Sequence, residues 1–492
     1  MAAQTKDVTI DHIGAQGDGV AVSADGQKLF VPFTVPGDLV RVRIVAGGGQ
    51  DGSAERGPHR RGRKRRGKQR GGRRSINPDA ATKTEGLRCE LVEILTPGGD
   101  RAIPVCKHFE TCGGCALQHL AAQPYRSWKQ EQVRLAMAQR GFSDINISGP
   151  TDDIKADDVL GDDSGRRKAV LKFTVAGGRP LLGFTGRRSN QIIDIQECAV
   201  LAPSLTALIP ELRGFLTRLG FVSAEIAVTR CSNGVDLLIR QSGGGTIDLS
   251  LEQRELLTDF AETNDIARIS MDSNSGQGGI SAETIIQRRS PVISVGHEMP
   301  NGGIDVAIPA GSFVQATEAG QNALIKFARE NLADAFDDKP GGPRKYVDLF
   351  SGWGAFAHAL AMDRGVAVHA IEGDELLTAA CQNAVNRAGG RSTVSTETRD
   401  LFRNPLGVKE LNAYDGIIFD PPRAGAREQA EYMSDSSVPV IVGISCNPRS
   451  FARDARILVD GGYQLEKIEV FDQFRWSAQI ELAAVFRRDK AF

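Results

Sequence analysis

The alternation of hydrophobic and polar positions predicts short strands at the start of the chain. Residues 7–46 contain apolar runs broken by Gly and Pro, a pattern typical of strands joined by tight turns. The runs lie at 8–10, 20–22, 29–33 and 39–44, and a fifth follows at 89–95. Five short strands in so short a stretch predict a small β-barrel, which we place in residues 1–97.

From residue 306 to residue 492 the pattern changes to alternating helices and strands. The first helix has apolar residues at helical spacing, at Leu324, Ile325, Phe327, Ala328 and Leu332. Strand candidates follow at 346–350, 366–371, 393–398, 416–420, 438–445, 463–471 and 479–486. Such alternation predicts a parallel, doubly wound sheet, here of seven strands. The short last connection predicts an antiparallel final pair.

Residues 98–305 form a mixed, Gly-rich central part with short elements, such as 171–175 and 234–240. Their topology cannot be assigned from the pattern. With its three parts, the chain is predicted to be a multidomain α/β protein whose central domain is α+β.

Composition adds an expectation about the compartment. The chain has 492 residues, is 41% hydrophobic, and contains no apolar run long enough for a transmembrane helix. Its N-terminus has no apolar stretch of the signal-peptide type, so we expect a cytoplasmic, monomeric protein with no membrane association.

The net charge of −1 conceals an uneven distribution. By itself it argues against a general nucleic-acid binder, but residues 56–74 carry 11 Lys and Arg and no acid. The rest of the chain has 49 Lys and Arg against 61 Asp and Glu. We predict that an insertion at about residues 50–80 is disordered and adds non-specific affinity for phosphates, the alternative being a targeting or solubilising segment.

A cofactor pocket is predicted where the first strands of the C-terminal sheet end. Ligands bind beyond the carboxyl ends of strands in open α/β sheets. The first strand runs into Asp-Leu-Phe-Ser-Gly-Trp-Gly (348–354), where Gly352 and Gly354 would let the backbone approach a ligand. The next ends at Glu372, which can bond ribose hydroxyls, unless it is a solvated loop carboxylate. Because G-x-G-x-x-G is absent, a nucleoside-type cofactor is favoured over a dinucleotide.

Two later strand ends carry candidate reactive groups. Cys446 lies in Ser-Cys-Asn-Pro-Arg (445–449), on a loop at the edge where a nucleophile would sit, although a free cysteine is more often a buried structural thiol. Glu481 opens an otherwise apolar strand, where partial burial would raise its pKa and suit it to proton transfer. Its alternative is a glutamate facing solvent.

The loop at 419–426 (Phe-Asp-Pro-Pro-Arg-Ala-Gly-Ala) weakens two other chemistries. Amino-methyltransferases place a base-stacking aromatic residue where Arg423 stands. RNA cytosine-5 methyltransferases place a cysteine where Pro422 stands.

Together these motifs resemble the RNA 5-methyluridine methyltransferase family, the uracil-C5 methyltransferases of ribosomal and transfer RNA. The matching segments are 309–317, 348–356, 419–426, 445–454 and the Gln-Ile-Glu that opens the final strand. The resemblance implies a Rossmann-like class I methyltransferase domain in residues 306–492. It also implies S-adenosylmethionine contacts, which fall at Gln315, Phe350, Glu372, Asp400 and Asp420.

The family resemblance further implies a covalent mechanism. Cys446 would add to C6 of the uracil, C5 would take the methyl group, and Glu481 would remove the C5 proton. The thiol needs activation, for which Arg423 or Arg449 are the candidates in sequence. This chain departs from the family at two positions: Ala355 replaces a frequent Asn, and Gln479 replaces the usual His.

Four cysteines are predicted to hold a metal group. Eight cysteines in a large cytosolic chain do not indicate a disulfide framework. Cys106, Cys112 and Cys115 form C-x5-C-G-G-C, and Cys198 is the best fourth ligand for zinc or an iron–sulfur cluster. The iron–sulfur subgroup of the family has the same run, so the resemblance implies a 4Fe-4S cluster. The remaining cysteines are predicted to pack in the core: Cys89, Cys231 and Cys381.

The N-terminal part resembles the TRAM domain, an oligonucleotide-binding-type barrel of RNA-modifying enzymes. A TRAM domain with an iron–sulfur domain resembles the large-subunit ribosomal RNA enzymes more than the transfer RNA enzyme. Ribosomal RNA is therefore the expected substrate, with transfer RNA as the alternative, and the target uracil must leave its stack. A non-catalytic iron–sulfur RNA-binding protein is a third possibility, disfavoured by Cys446 and Glu481. A radical enzyme is disfavoured because C-x3-C-x2-C is absent.

Overall fold

The structure, a computed structural model, describes residues 5–45, 86–150, 161–241, 248–272, 282–296, 302–333, 344–389 and 392–488. The predicted basic insertion at about residues 50–80 lies outside these ranges, and the predictions about it stay predictions. The chain divides into two compact units, Met1–Arg101 and Ala102–Phe492. Within the described ranges, no helix combines the length and apolar character that crossing a membrane requires.

The first unit contains one six-stranded sheet. Its strands are β1 (Thr5–Thr9), β2 (His12–Ile13), β3 (Gly19–Val22), β4 (Lys28–Val31), β5 (Leu39–Ile44) and β6 (Leu87–Thr96). Their order is β1-β5-β6-β4-β3-β2, and β6 pairs antiparallel with β5 and parallel with β4. The five predicted strands are all present; β2 was missed because two residues are too few to show alternation. The likeness of this unit to a TRAM domain stays a prediction.

A buried carboxylate ties the turn before β5 to the chain after β6. The side chain of Asp38 is fully buried and accepts hydrogen bonds from the backbone of Val35 (2.7 Å) and Gly98 (2.8 Å). It also forms a two-pronged ion pair with Arg101, at 2.9 and 2.7 Å. Burial alone would raise the pKa of Asp38, but these hydrogen bonds outweigh it and lower the pKa.

The second unit begins with a helix and a mixed sheet. The elements are α1 (Ala122–Ala138), β7 (Ile147–Ser148), β8 (Lys168–Ala176), β9 (Arg179–Thr185), β10 (Ile192–Asp194), α2 (Pro203–Arg218), β11 (Ser223–Cys231), β12 (Gly234–Gln241), α3 (Leu251–Thr263), β13 (Ile266–Asp272) and β14 (Ala282–Gln287). The sheet order is β10-β9-β8-β11-β12-β13-β14, with β12 and β13 parallel. Helices α2 and α3 contribute Phe215 and Phe260 to its core, where the two rings stack 3.9 Å apart.

The rest of the second unit contains a two-stranded sheet and the predicted alternation of helices and strands. The elements are β15 (Val292–Val295), β16 (Ile304–Ala307), α4 (Glu318–Ala333), β17 (Arg344–Leu349), α5 (Ala355–Leu360), β18 (Val366–Glu372), α6 (Glu375–Arg387), β19 (Val394–Thr398), α7 (Val408–Leu411), β20 (Gly416–Phe419), α8 (Arg427–Ser434), β21 (Val440–Ser445), α9 (Pro448–Asp460), β22 (Gln464–Phe471) and β23 (Glu481–Arg487). The apolar residues predicted for the first helix are all buried on α4.

The C-terminal sheet has eight strands rather than the predicted seven. Its order is β19-β18-β17-β20-β21-β23-β22-β7. The seven predicted strands are present, and β7 joins the edge in parallel with β22, contributed from the part of the chain that precedes the central sheet. With only two residues, β7 has no periodicity to detect. As predicted, β22 and β23 are antiparallel, and β23 lies between β21 and β22.

This sheet brings several loops to one edge. Strands β17, β18, β20 and β21 are parallel, so their carboxyl ends lie together. Strand β23 runs the opposite way, and Ser445 at the end of β21 pairs with Leu482 near the start of β23. The residue after β21 and the residue that opens β23 are therefore placed opposite each other at this edge.

Replacing Asp38 with Ala should destabilise the first unit by about 3–5 kcal/mol, because Arg101 would lose its buried partner. Hydrogen–deuterium exchange mass spectrometry should show this destabilisation as faster amide exchange in peptides from β5 and β6. Since the pKa of Asp38 is lowered, its contribution is present above the unfolded-state pKa and is lost as the pH falls through the lower folded-state value. Asp7→Ala, which removes the exposed partner of Arg41, is the control and should change exchange little. Equal exchange in wild type and Asp38→Ala would contradict this role.

Candidate active site

The two predicted reactive residues meet at the edge formed by β21 and β23. Cys446 follows β21 and is half-buried, whereas Glu481 is the first residue of β23 and is only 3% exposed. The pairing of Ser445 with Leu482 places them opposite each other across the two strands. Asp420 follows the neighbouring strand β20 and brings a second carboxyl to the same place.

Burial dominates the electrostatics of the two carboxyls. It raises the pKa of Glu481 well above the usual range; Asp420 raises it further, and Lys129 opposes both. Burial also raises the pKa of Asp420 to about 7, although the hydrogen bond from Gln315 lowers it. A carboxyl whose pKa approaches neutrality exchanges protons readily at neutral pH, which suits it to general acid–base work.

The thiol of Cys446 is protonated at neutral pH in this environment. Its pKa is raised to about 11, first by burial and then by the neighbouring carboxyls Glu481 and Asp420. Arg423 lowers it, which is the direction expected of an activating cation. The loops are tied together, since Asn447 Nδ2 and Ser450 Oγ each donate to the carbonyl of Arg423 at 2.9 Å. The other candidate cation, Arg449, is exposed on the first turn of α9.

A cavity of about 80 Å³ lies beyond the end of β17 and contains four of the predicted cofactor residues: Gln315, Phe350, Gly352 and Asp420. Gln315 donates to Asp420 Oδ2 at 3.0 Å, which links the 309–317 segment to the loop after β20. Trp353, which the sequence reasoning missed, also lines the cavity and donates from Nε1 to the carbonyl of Phe313 at 3.0 Å.

The remaining predicted cofactor residues lie outside that lining. Glu372 accepts from the backbone of Gly352 and Asp374, each at 2.9 Å, so its carboxylate holds the glycine loop in place. Asp400 is exposed and follows β19, and a Cβ added to Gly373 would lie 3.7 Å from its Cα.

Packing and backbone conformation require glycine at position 354, and its predicted role in cofactor binding stays a prediction. Its φ is 87°, in the left-handed region. A Cβ there would lie 2.5 Å from Cys381 Sγ. The thiol of Cys381 itself lies 3.5 Å from His358 Nε2 in the core.

Two further residues shape the site. Gln473 Nε2 donates to Gln315 Oε1 at 3.1 Å, so it orients the amide that bonds Asp420. Lys129, buried on α1, approaches the segment that precedes Glu481. Nothing in the sequence marked Gln473. Lys129, in contrast, occupies the apolar stripe of α1, four residues from Tyr125 and from Val133, and that position was a detectable signal.

The four cysteines of the predicted metal group line a second cavity, of about 230 Å³: Cys106, Cys112, Cys115 and Cys198. All four are free thiols. Burial raises the pKa of Cys115 to about 12, and it also raises the pKa of Cys112 and Cys198. In the described ranges, no group of three or more His, Cys, Asp or Glu side chains is arranged to hold a metal ion.

The cysteine loop contacts the reactive edge through its backbone. The amides of Ala116 and Leu117 both donate to the carbonyl of Trp476, at 2.8 and 3.0 Å. Trp476 lies in the connection between β22 and β23, so the loop that carries Cys112 and Cys115 adjoins the approach to Glu481.

Comparison with known proteins identifies relatives along the whole chain. A family model described as tRNA (Uracil-5-)-methyltransferase matches residues 308–489. A Brucella melitensis protein described as an uncharacterized RNA methyltransferase is 36% identical over 491 residues, covering 99% of both chains. The 23S rRNA (uracil(1939)-C(5))-methyltransferase of Shewanella piezotolerans is 30% identical over 488 residues, covering 98% of this chain and 94% of that protein.

A solved structure shares the fold. The Pyrococcus abyssi tRNA (uracil-54, C5)-methyltransferase, in complex with S-adenosyl-L-homocysteine, superimposes with a TM-score of 0.65 at 19% identity. The superposition covers 98% of this chain and 100% of that chain.

Glu481→Gln should lower the pKa of Cys446, because it removes the carboxylate that faces the thiol. The measurement is the rate of iodoacetamide alkylation of Cys446 against pH, read from its peptide by mass spectrometry. Glu372→Gln is the matched control, since Glu372 lies at the same sheet edge but bonds Gly352 and Asp374 instead. If the pH midpoint of Cys446 alkylation is unchanged in Glu481→Gln, or shifts equally in both variants, the electrostatic coupling between Glu481 and Cys446 is contradicted.

Proposed function

The chain belongs to the RNA uracil-5-methyltransferase family, and we propose that it methylates C5 of a uridine in RNA through a covalent adduct with Cys446. The methyl donor of this S-adenosylmethionine-dependent enzyme supplies an electrophilic methyl group on a sulfonium. The observation that carries the proposal is the placement of a half-buried thiol opposite a buried carboxyl at the cofactor edge of the sheet.

Cys446 has the first role. Uracil C5 is a poor nucleophile, so the Cys446 thiolate adds to C6, and the electrons of the C5–C6 double bond move towards O4. C5 is now enolate-like and forms a bond to the methyl carbon, while the bond from that carbon to the donor sulfur breaks. One hard substitution is thereby divided into two easier steps.

Glu481 completes the reaction. Its carboxylate takes the C5 proton, the C5–C6 double bond forms again, and the bond from C6 to Cys446 breaks to release the thiolate. The thiolate and the carboxylate disfavour each other's charge while both are free. Lys129 opposes the burial and the charge of Asp420 that raise the pKa of Glu481, so it favours the ionised base that this step needs.

The cavity beside β17 would receive the methyl donor. Gln315, Phe350 and Asp420 line it, and Gly352 gives the backbone close access. Glu372 and Asp400 lie on the loops after β18 and β19, where a carboxylate can bond ribose hydroxyls or a base edge. We assign all these residues to the donor site.

Ribosomal RNA is the substrate that we propose, with transfer RNA as the alternative. The full-length similarity to a 23S rRNA enzyme supports the former, whereas the tRNA enzyme from Pyrococcus supports only the fold. The first unit would act as a TRAM-type RNA-binding domain. The basic residues of 56–74 would add contacts to phosphates. A non-catalytic role is disfavoured because Cys446 and Glu481 are both in place.

A 4Fe-4S cluster is the metal group that we propose for Cys106, Cys112, Cys115 and Cys198. All four residues line one cavity of about 230 Å³. A lone zinc needs its ligands within about 2.3 Å of one point, while a cubane cluster needs a cavity between them. Gln118 also serves this loop, since it accepts from the backbone of Cys106 at 3.0 Å. The cluster would hold the loop's shape, and no step of the methylation requires it.

Cys446→Ala should abolish methylation and the covalent enzyme–RNA adduct while leaving binding of S-adenosylmethionine intact. Glu481→Gln should accumulate the adduct, because elimination needs the base, and should slow turnover by about 10²–10⁴-fold. Denaturing gels with radiolabelled RNA measure the adduct, and calorimetry measures donor binding. Full methylation by Cys446→Ala, or rapid product release by Glu481→Gln, would overturn the mechanism.

Iron and sulfide analysis of anaerobically purified protein should find about four of each per chain. Cys198→Ser should lower both, since it removes a cluster ligand. Cys446→Ala, which removes a thiol outside the cavity, is the control and should keep the wild-type content. One zinc per chain, or equal iron in both variants, would refute the assignment.

A further inference from the structure

The connection between β22 and β23 delivers Glu481 to its place, and it is held mainly by other parts of the chain. It spans residues 472–480 and contains turns rather than a regular element. Its backbone at Trp476 accepts from the cysteine loop, as described above. Gln473 within it donates to Gln315, and several of its other contacts converge on one helix, α1.

Lys129 makes three of those contacts with a single group. Its Nζ donates to the carbonyl of Gln479, lies 3.4 Å from the carbonyl of Phe474, and lies 3.3 Å from Asp472 Oδ1. An ammonium has three donors and no acceptor, so three surrounding oxygens match its charged form. Lys129 therefore holds the beginning, the middle and the end of the connection.

Tyr125, one turn earlier on α1, supports the same connection without a charge. Its hydroxyl donates to Asp472 Oδ2 at 2.8 Å and accepts from the backbone of Trp476 at 2.9 Å. Two side chains on one helix face thus share Asp472, and only one of them carries a charge.

Packing alone does not explain why a lysine is buried at this position, because burying its charge is unfavourable. Lys129 is 1% exposed, on a helix face whose other buried residues include Val133 and Met137. Burying an ammonium is unfavourable unless it is paired, and a methionine would fill the same space without that penalty. Within 472–480, Lys129 forms an ion pair only with Asp472, whose side chain is 18% exposed. The ammonium charge of Lys129 therefore does more than balance the charge of Asp472.

The charge also acts on the catalytic carboxyl. Burial and Asp420 raise the pKa of Glu481, and Lys129 lowers it. Three groups face Glu481 from neighbouring elements: Asp420 after β20, Cys446 after β21 and Lys129 on α1. The groups that face Lys129 are Asp472, Tyr125, Arg166 and Glu481 itself. Of the three groups that face Glu481, Lys129 is the cation.

We propose that Lys129 is a positioning residue for Glu481: its ammonium holds the 472–480 connection so that the carboxylate opening β23 reaches the C5 proton. The inference rests on the proposed function, because it assigns Lys129 to the elimination step of that reaction. Lys129 is buried on α1 and acts through the base.

The test follows the two halves of the reaction separately in a single turnover of the full chain. RNA carrying tritium at uridine C5 reports proton removal as tritium released into water. S-adenosylmethionine with a ¹⁴C methyl group reports methyl transfer. In Lys129→Met, methyl transfer should stay near the wild-type rate while tritium release slows about 10²-fold, so that methylated adduct accumulates. The midpoint of tritium release against pH should move upward, because the cation near Glu481 is gone.

Conservative variants keep the test decisive. Lys129→Arg keeps the charge and should recover the wild-type midpoint, with tritium release between those of the wild type and Lys129→Met. If Lys129→Met does not fold, Lys129→Gln, which is neutral but retains a donor, replaces it and should show the same upward midpoint. Tyr125→Phe is the matched control: it loosens Asp472 but leaves the ammonium, so the midpoint should not move.

The two levels of the proposal fail in different ways. A wild-type chain that releases no tritium and forms no adduct would refute the proposed function. A wild-type chain that does both, with Lys129→Met at the wild-type rate and midpoint, would refute the role of Lys129 alone. A parallel loss of methyl transfer and tritium release without adduct would also overturn it, since that pattern indicates a structural defect.

Discussion

Strand β23 enters the sheet antiparallel between β21 and β22, and this pairing decides which side chains meet at the reactive edge. Ser445 opposite Leu482 sets the register, so Cys446 and Glu481 lie across from each other. A shift of one residue would turn the carboxyl to the other face of the sheet. The apolar residues of β23, all buried from Leu482 to Phe486, make such a shift costly. The hydrophobic core therefore fixes the geometry of the chemistry.

That geometry creates an electrostatic problem, because a thiol and two carboxyls share a buried corner. The pKa of Cys446, of Asp420 and of Glu481 is raised, with burial as the largest cause in each case. The chain offsets this with few groups: the amide of Gln315 on Asp420, Arg423 near the thiol, and Lys129 near Glu481. Each comes from a different segment, so the reactive edge depends on the packing of the whole second unit.

Much of the C-terminal fold could be predicted from the sequence, because most of its strands contain apolar runs and helices separate most of them. The placement of Cys446 and Glu481 followed from those strand ends, together with the family resemblance. The strands β2 and β7 could not be predicted, since two residues carry no periodicity. Lys129 was overlooked although it interrupts an apolar helix face, because its partners lie more than 340 residues away in sequence. Contacts of that range are set by tertiary packing, which local patterns do not encode.

For the cysteine loop too, the sequence predicted one feature and the folded structure added another. The spacing of Cys106, Cys112 and Cys115 indicated a shared centre, and the structure places Cys198 at the same cavity. The backbone bonds from Ala116 and Leu117 to Trp476 were not foreseeable. They join the proposed cluster loop to the connection that Lys129 also holds, so the central segment contacts the stretch of chain that leads into Glu481.

The most direct test of the central claim is mass-spectrometric mapping of 5-methyluridine in ribosomal and transfer RNA. RNA would be compared from cells that contain the protein, cells that lack it, and cells that carry Cys446→Ala. We expect a uridine of the large-subunit ribosomal RNA to lose its C5 methyl group in both deficient strains. Unchanged 5-methyluridine in every RNA, or full methylation in the Cys446→Ala strain, would contradict the assignment of this chain as a uracil-C5 methyltransferase that acts through Cys446.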